Sequence, residues 1–164
     1  MARLEVPVQL RWSDMDAYAH VNNVEMLRLL EEARIEAFWS HPVDSDGTRP
    51  DGAWSTAVLD AGPSSTMSTL IAHQEIEYLL PLGYQRRPVV VEMWIGRLGG
   101  ASLEVCYEVR DRPAAEDGSA VFARATTTIV LVDTGSGRPQ RIGPAERAAW
   151  EPFVEEPLTF RRRR

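Results

Sequence analysis

The sequence predicts an α+β domain in which one antiparallel sheet covers one central helix. Two observations carry that expectation. Val24–Trp39 (VEMLRLLEEARIEAFW) contains no Gly or Pro and is dense in Leu, Glu, Ala and Arg, which favours a helix capped by Asn22 or Asn23. One β-type run precedes it and several follow, joined mostly by short turns that suit an antiparallel meander.

The first run, LEVPVQLRW at 4–12, alternates so that Leu4, Val6, Val8 and Leu10 share a face, and Pro7 argues for an edge or a bulge. At about 100° per residue, the helix puts Glu25, Arg28, Glu32 and Glu36 on a polar stripe. Val24, Met26, Leu27, Leu30, Ala33, Ile35, Ala37 and Phe38 fill an apolar arc wide enough for a helix wrapped by a sheet. Glu31 and Arg34 interrupt that arc at a spacing that lets them reach each other, so a buried or interface ion pair is expected.

Residues 40–52 read as a loop and WSTAVLD (54–60) as a short strand. TMSTLIAHQEIEYLLPL (66–82), RPVVVEMWIGR (87–97), SLEVCYEVRDR (102–112) and AVFARATTTIVLVDT (120–134) supply the body of the sheet. Pro144 suits the first turn of a short closing helix, and EEPLTFRRRR reads as a loose tail. On their strands, His73, Glu75 and Glu77 form a solvated face, and Cys106 lies with Glu104 and Glu108 opposite the apolar set Leu103, Val105, Tyr107 and Val109.

Composition narrows the function. At 164 residues, 44% hydrophobic and 26% charged, the chain buries one ordinary core without disulfides or structural metal. Its single cysteine allows no internal bridge, and three dispersed histidines give no zinc-ligand spacing, so a reducing cytoplasm and no metal are expected. The N-terminus alternates rather than forming a signal peptide, and no run approaches the ~18 apolar residues of a membrane span. The formal net charge of -6 includes four terminal arginines, so the body is more acidic still and repels nucleic acid. Cys106 has no neighbouring base to activate it, and no Gly-x-Ser-x-Gly elbow occurs.

Chemistry-bearing residues concentrate where the first strand meets the helix: Arg11, Ser13, Asp14, Asp16, Tyr18, His20, Asn22 and Asn23. A helix N-terminus offers unpaired N–H groups that hold a developing oxyanion. Asp16 could then serve as nucleophile or as general base toward water on a carbonyl, with Asn22 or Asn23 supplying the N–H. The competing role for Asp14 and Asp16 is an Asx-turn that caps the helix.

This string, Asp14-Met15-Asp16-Ala17-Tyr18-Ala19-His20-Val21-Asn22-Asn23 with Glu31-Glu32-Ala33-Arg34 following, resembles hot-dog-fold acyl-CoA thioesterases of the 4-hydroxybenzoyl-CoA thioesterase type. Glu75-Ile76-Glu77-Tyr78 with Pro81, the Gly99-Gly100-x-Ser102 turn and Leu131-Val132-Asp133 extend the likeness to about residue 150. The resemblance implies a hot-dog domain over 1–150, with five or six antiparallel strands curled around the helix, and a tail over 151–164. It also implies hydrolysis of an acyl-CoA or acyl carrier protein thioester without a cofactor, and a homodimer or homotetramer that shares its sites.

The catalytic carboxylate of the family maps onto Asp16 and its oxyanion N–H onto Asn23, with His20 beside them. Tyr18, Asn22, Arg97 and Ser102 are the matching candidates for substrate contact. RPVVVEMWIGR is expected at a sheet edge, pairing with its symmetry mate. Two departures stand out: the family's glycine is Ala19, which places a Cβ where φ turns positive, and the basic cluster before the third-turn serine is reduced to Arg97. Two other activities fit the same pocket: a non-catalytic acyl-thioester binder, and an enoyl-thioester hydratase, which would need an Asn-Pro step the chain lacks.

Overall fold

The computed structural model describes residues 2–43, 45–48 and 52–161; the 40–52 loop and the arginine run fall partly outside them. The elements are β1 (Leu4–Val8), α1 (Asn23–Phe38), β2 (Met67–Tyr78), β3 (Val89–Leu98), β4 (Ser102–Arg110), β5 (Val121–Asp133) and α2 (Pro144–Trp150). The five strands form one antiparallel sheet in the order β1-β3-β4-β5-β2. α1 packs on its inner face, and the architecture is the α+β hot-dog fold.

The predicted helix holds within a residue at each end, and Asn22 caps it by accepting from the N–H of Val24 at 2.9 Å. Met26, Leu29, Leu30, Ala33, Ala37 and Phe38 are buried against Leu4, Val6, Val91, Met93, Val105, Tyr107 and Ile129 of the sheet. The apolar arc is wider than the sheet can cover, so Val24 and Ile35 at its far flank stay 67% and 47% exposed. Pro144 does open α2, whose Trp150 stacks edge-on against Phe38 and donates its indole N–H to Thr56 at 3.0 Å. The 54–60 segment makes only an isolated bridge, Leu59 to Trp39, instead of a strand.

Four expectations need correction. β3 is not an edge: β1 pairs along its whole first half, Val8 with Val89 through Leu4 with Met93, and β4 covers its other side. Its valines avoid pairing with another chain because they are interior. The free edges are β1, blunted by Glu5 and Pro7, and β2, whose twelve residues are exposed at most positions.

Glu31 and Arg34 form no pair within the subunit, which overturns the buried form of that expectation and leaves the interface form untouched. Glu31 is exposed, while Arg34 turns inward and donates from Nη1 to the Tyr107 hydroxyl at 3.1 Å.

Residues 154–158 are not loose. Val154 bridges Ile95, the Glu155 N–H donates to the Ile95 carbonyl at 2.9 Å, and the Trp94 indole N–H donates to the Glu156 carbonyl at 2.9 Å. This strap crosses the outer face of β3.

Cys106 lies on the face predicted but is buried, because the strap covers it. Gly96 explains the close fit: a Cβ there would stand 2.7 Å from Cys106 Sγ and 3.0 Å from Pro157 Cα.

Candidate active site

Two aspartates two residues apart have opposite environments. Asp14 is fully buried and accepts from the Arg11 N–H at 2.7 Å, from Arg11 Nε at 3.0 Å and from Arg28 Nη2 at 3.0 Å. Burial opposes its ionisation, but the Arg11 N–H, the Arg11 guanidinium and Arg28 outweigh it and hold the carboxyl below its usual range. With both oxygens engaged, Asp14 fixes the chain entering α1.

Asp16 is half-buried and only half engaged. Its Oδ1 accepts from the N–H groups of Tyr18 at 2.8 Å and His20 at 3.2 Å, whereas Oδ2 receives no donor among the described residues. The loop closes through the Asp16 N–H to the His20 carbonyl at 2.8 Å and the Ala19 N–H to the Asp16 carbonyl at 3.1 Å. Ala19 takes φ 62°, so the turn expected to need a glycine is made by alanine in the left-handed region. The Asx-turn reading is therefore right for one carboxylate oxygen and leaves the other available.

The loop is pinned to the segment after β2. His20 bridges Gly83, and the Val21 N–H donates to the Leu82 carbonyl at 2.7 Å. At the start of α1, Asn22 Oδ1 takes the Val24 N–H, while the N–H of Asn23 has no acceptor among the described residues. The Tyr78 hydroxyl donates to the Asn23 carbonyl at 3.2 Å. Val21, Met26, Tyr78, Leu80, Pro81 and Leu82 line an apolar cleft of about 320 Å³ against this helix end. The Asp16 loop, the open N–H of Asn23 and the apolar cleft thus all lie where α1 begins, at the Tyr78 end of β2.

Of the predicted site residues, Asp16, Tyr18, His20, Asn22 and Asn23 share this loop and cap. Tyr18 projects into solvent at 81% exposure, and the His20 ring makes no hydrogen bond to Asp16; its backbone N–H does. Arg97 and Ser102 sit at the opposite end of the sheet, where β3 turns into β4. Val89, level with the Asp16 end, lies about 26 Å from Arg97 along β3 at ~3.3 Å per residue. One subunit does not bring them together. Met26, Tyr78 and Leu82 were not named as site residues from the sequence, although Tyr78 follows Ile76 on the α1-facing side of β2, which was a usable signal.

A larger cleft of about 660 Å³ lies on the other flank of α1, between its polar stripe and β1, and holds none of the predicted site residues. Among the described residues no cluster of His, Cys, Asp and Glu could hold a metal ion, and no helix is long and apolar enough to cross a membrane.

A fold of this shape defines a class, and the sequence places the chain within it. Residues 10–158 match the family model of the thioesterase-like superfamily, and the chain belongs to that family. Its backbone is similar to a Bacillus stearothermophilus protein named as a predicted thioesterase, at 22% identity and TM-score 0.68 over 96% of this chain and 100% of that one. It is similar to a thioesterase-superfamily protein of Jannaschia sp. CCS1 at 21% identity and TM-score 0.64, over 94% and 93% of the two chains. A DHNA-CoA thioesterase of Staphylococcus aureus shares 13% identity at TM-score 0.66, over 93% and 91%. Among curated proteins, none matches this chain's sequence.

Proposed function

We propose that the protein hydrolyses acyl thioesters, with acyl-CoA as the first substrate class and an acyl carrier protein as the other carrier. The observation that carries this is the half-engaged carboxylate of Asp16 in the loop leading to an N–H of Asn23 that has no acceptor. The apolar cleft under Tyr78 suits the acyl chain. As general base, Asp16 takes a proton from water while the water oxygen adds to the thioester carbon; as nucleophile, its Oδ2 adds directly and water cleaves the resulting anhydride. In both routes the oxyanion develops toward the Asn23 N–H, the C–S bond breaks, and the thiolate leaves, taking a proton from the Asp16 carboxyl in the first route and from water in the second.

The proposed assembly is a homodimer through β2, which can pair again into a tetramer. A twelve-residue edge carrying the exposed Leu70 and Ile71 is a template for another strand. Antiparallel pairing about a two-fold would set the Met67 end of the partner's β2, and with it the partner's β3–β4 turn, on the side where Asp16 opens, which gives Arg97 and Ser102 a route to the shared site. A reducing cytoplasm fits the single free thiol.

Thiol release from a panel of acyl-CoAs tests the activity. Saturable binding without release would establish the binder instead, and loss of enoyl absorbance without release the hydratase. Light scattering at micromolar concentration tests the assembly, for which an active monomer is the contrary result.

A further inference from the structure

Arg34 is 4% exposed, yet its only hydrogen bond among the described residues runs from Nη1 to Tyr107. Among the described residues no fully buried side-chain nitrogen lacks a partner, so its unbonded Nε and Nη2 each keep a trace of accessible surface. These two atoms form the edge of a guanidinium that grips a carboxylate with two parallel bonds. A cation this desolvated calls for an anion, and no carboxylate of the same subunit lies within 4.0 Å among the described residues.

An unused anion stands one helical turn away. Glu31 is exposed, enters no ion pair among the described residues, and sits between the exposed Val24 and Ile35 on the α1 flank that carries Leu27. An acid in the middle of an apolar flank and a base at its margin make a self-complementary surface: a two-fold through the helix between them sets each acid against the other copy's base.

The level of that axis has an independent marker. Arg34 binds Tyr107, the Tyr107 hydroxyl lies beside the Thr127 side chain, and Gln74 Nε2 donates to Thr127 Oγ1 at 3.3 Å. Gln74 lies within two residues of the middle of β2, about 5 Å along the strand. A two-fold that pairs β2 edges about their centre therefore passes at the level of Arg34.

We infer that the unbonded edge of Arg34 receives Glu31 of the partner subunit, so that two reciprocal ion pairs clasp the α1 helices across the dimer axis. The inference rests on the β2 dimer proposed above and adds the residues that select the partner and the register.

The dissociation constant of the dimer, measured by sedimentation, tests it. Glu31→Gln is expected to weaken association by about 30-fold or more, and Glu31→Lys further, with circular dichroism unchanged because Glu31 is exposed. Mixing Glu31→Lys with Arg34→Glu restores both pairs in trans, so the mixture dimerises where each variant alone does not. Should Arg34→Glu fail to fold, the Glu31 variants still decide. A wild-type dimer that Glu31→Lys leaves intact overturns the clasp and keeps the dimer, whereas a monomeric wild type overturns both. A third contrary result is unchanged assembly in the Glu31 variants with an Arg34→Lys effect confined to KM for acyl groups ending in a carboxylate, which would give the cation to substrate.

Discussion

The guanidinium carbon of Arg3 stands 3.8 Å from the centre of the Trp94 ring, so the residue just before the first strand caps the aromatic that the C-terminal strap also grips. The same arginine is ion-paired with Glu155 of the strap and with Glu92 of β3 at 3.2 Å. One side chain thereby ties both ends of the chain to the outer face. That face would otherwise be unfavourable: Glu92 and Glu108 stand directly opposite each other on β3 and β4, and Arg3, Arg110 and Arg124 compensate them.

Ending the chain after Phe153 removes the strap and uncovers Trp94 and Cys106. A loss of about 2 kcal/mol is expected from the exposed apolar surface, read as a lower urea midpoint. Burial pushes the Cys106 thiol up to about 11, so it resists alkylation at neutral pH in the whole protein and reacts in the truncated one. Activity should survive Cys106→Ser. An unchanged midpoint and an unreactive thiol after truncation would deny the strap any role.

Acid should weaken the fold through two carboxyls. Arg3 holds Glu155 below its ordinary value, and Asp14 is lowered despite burial by Arg11 and Arg28. A carboxyl whose folded pKa is depressed contributes stability that is full above its unfolded value, about 4, and is lost as pH falls through the folded value. Urea midpoints should hold from pH 7 to about 5 and fall below 4. In Asp14→Asn the fall should be shallower, starting from a protein already weakened by about 3 kcal/mol.

Asp16→Asn keeps an acceptor for the Tyr18 and His20 N–H groups while removing the free basic oxygen. Turnover should drop at least ~100-fold with little change in Tm. Asp14→Asn should show the reverse, a lower Tm with turnover per folded molecule largely kept. Near wild-type turnover in Asp16→Asn would remove it from the chemistry.

Ala19→Gly relieves the left-handed strain of the loop at the cost of a freer unfolded chain. The balance is a gain of about 0.5 kcal/mol, measurable as a small rise in Tm. Ala19→Val should lower it, since a branched side chain fits φ 62° worse.

Local pattern made much of this architecture legible. Alternation placed Leu103, Val105, Tyr107 and Val109 on the α1 side, and a Gly-free run bounded α1 within a residue. Strand neighbours were harder, because Val89–Val91 is equally consistent with an edge and with an interior strand; which strand lies beside it depends on β1, some eighty residues earlier. At the start of α1, a cap by Asn22 or Asn23 followed from residue type and Asn22 supplies it, whereas Asp14's burial depended on Arg28 arriving from the next turn of helix. The strap left little signal, since 154–158 has neither period nor charge pattern and is held by backbone bonds and a single indole.

The strand order sets an assembly sequence for the chain. β3, β4 and β5 are consecutive hairpins whose contacts are near in sequence, while β1 and β2 join the outside of that trio across long intervals. Loop closure favours the nearby contacts first, so the interior hairpins form a template to which the two outer strands are added afterward. Native-state hydrogen exchange should accordingly be slowest in β4, with strands on both sides, and fastest in the terminal ladders at Leu4 and Met67. The strand that carries the proposed dimer edge is thus among the last to be locked, and by the time that edge exists it is backed by a finished sheet.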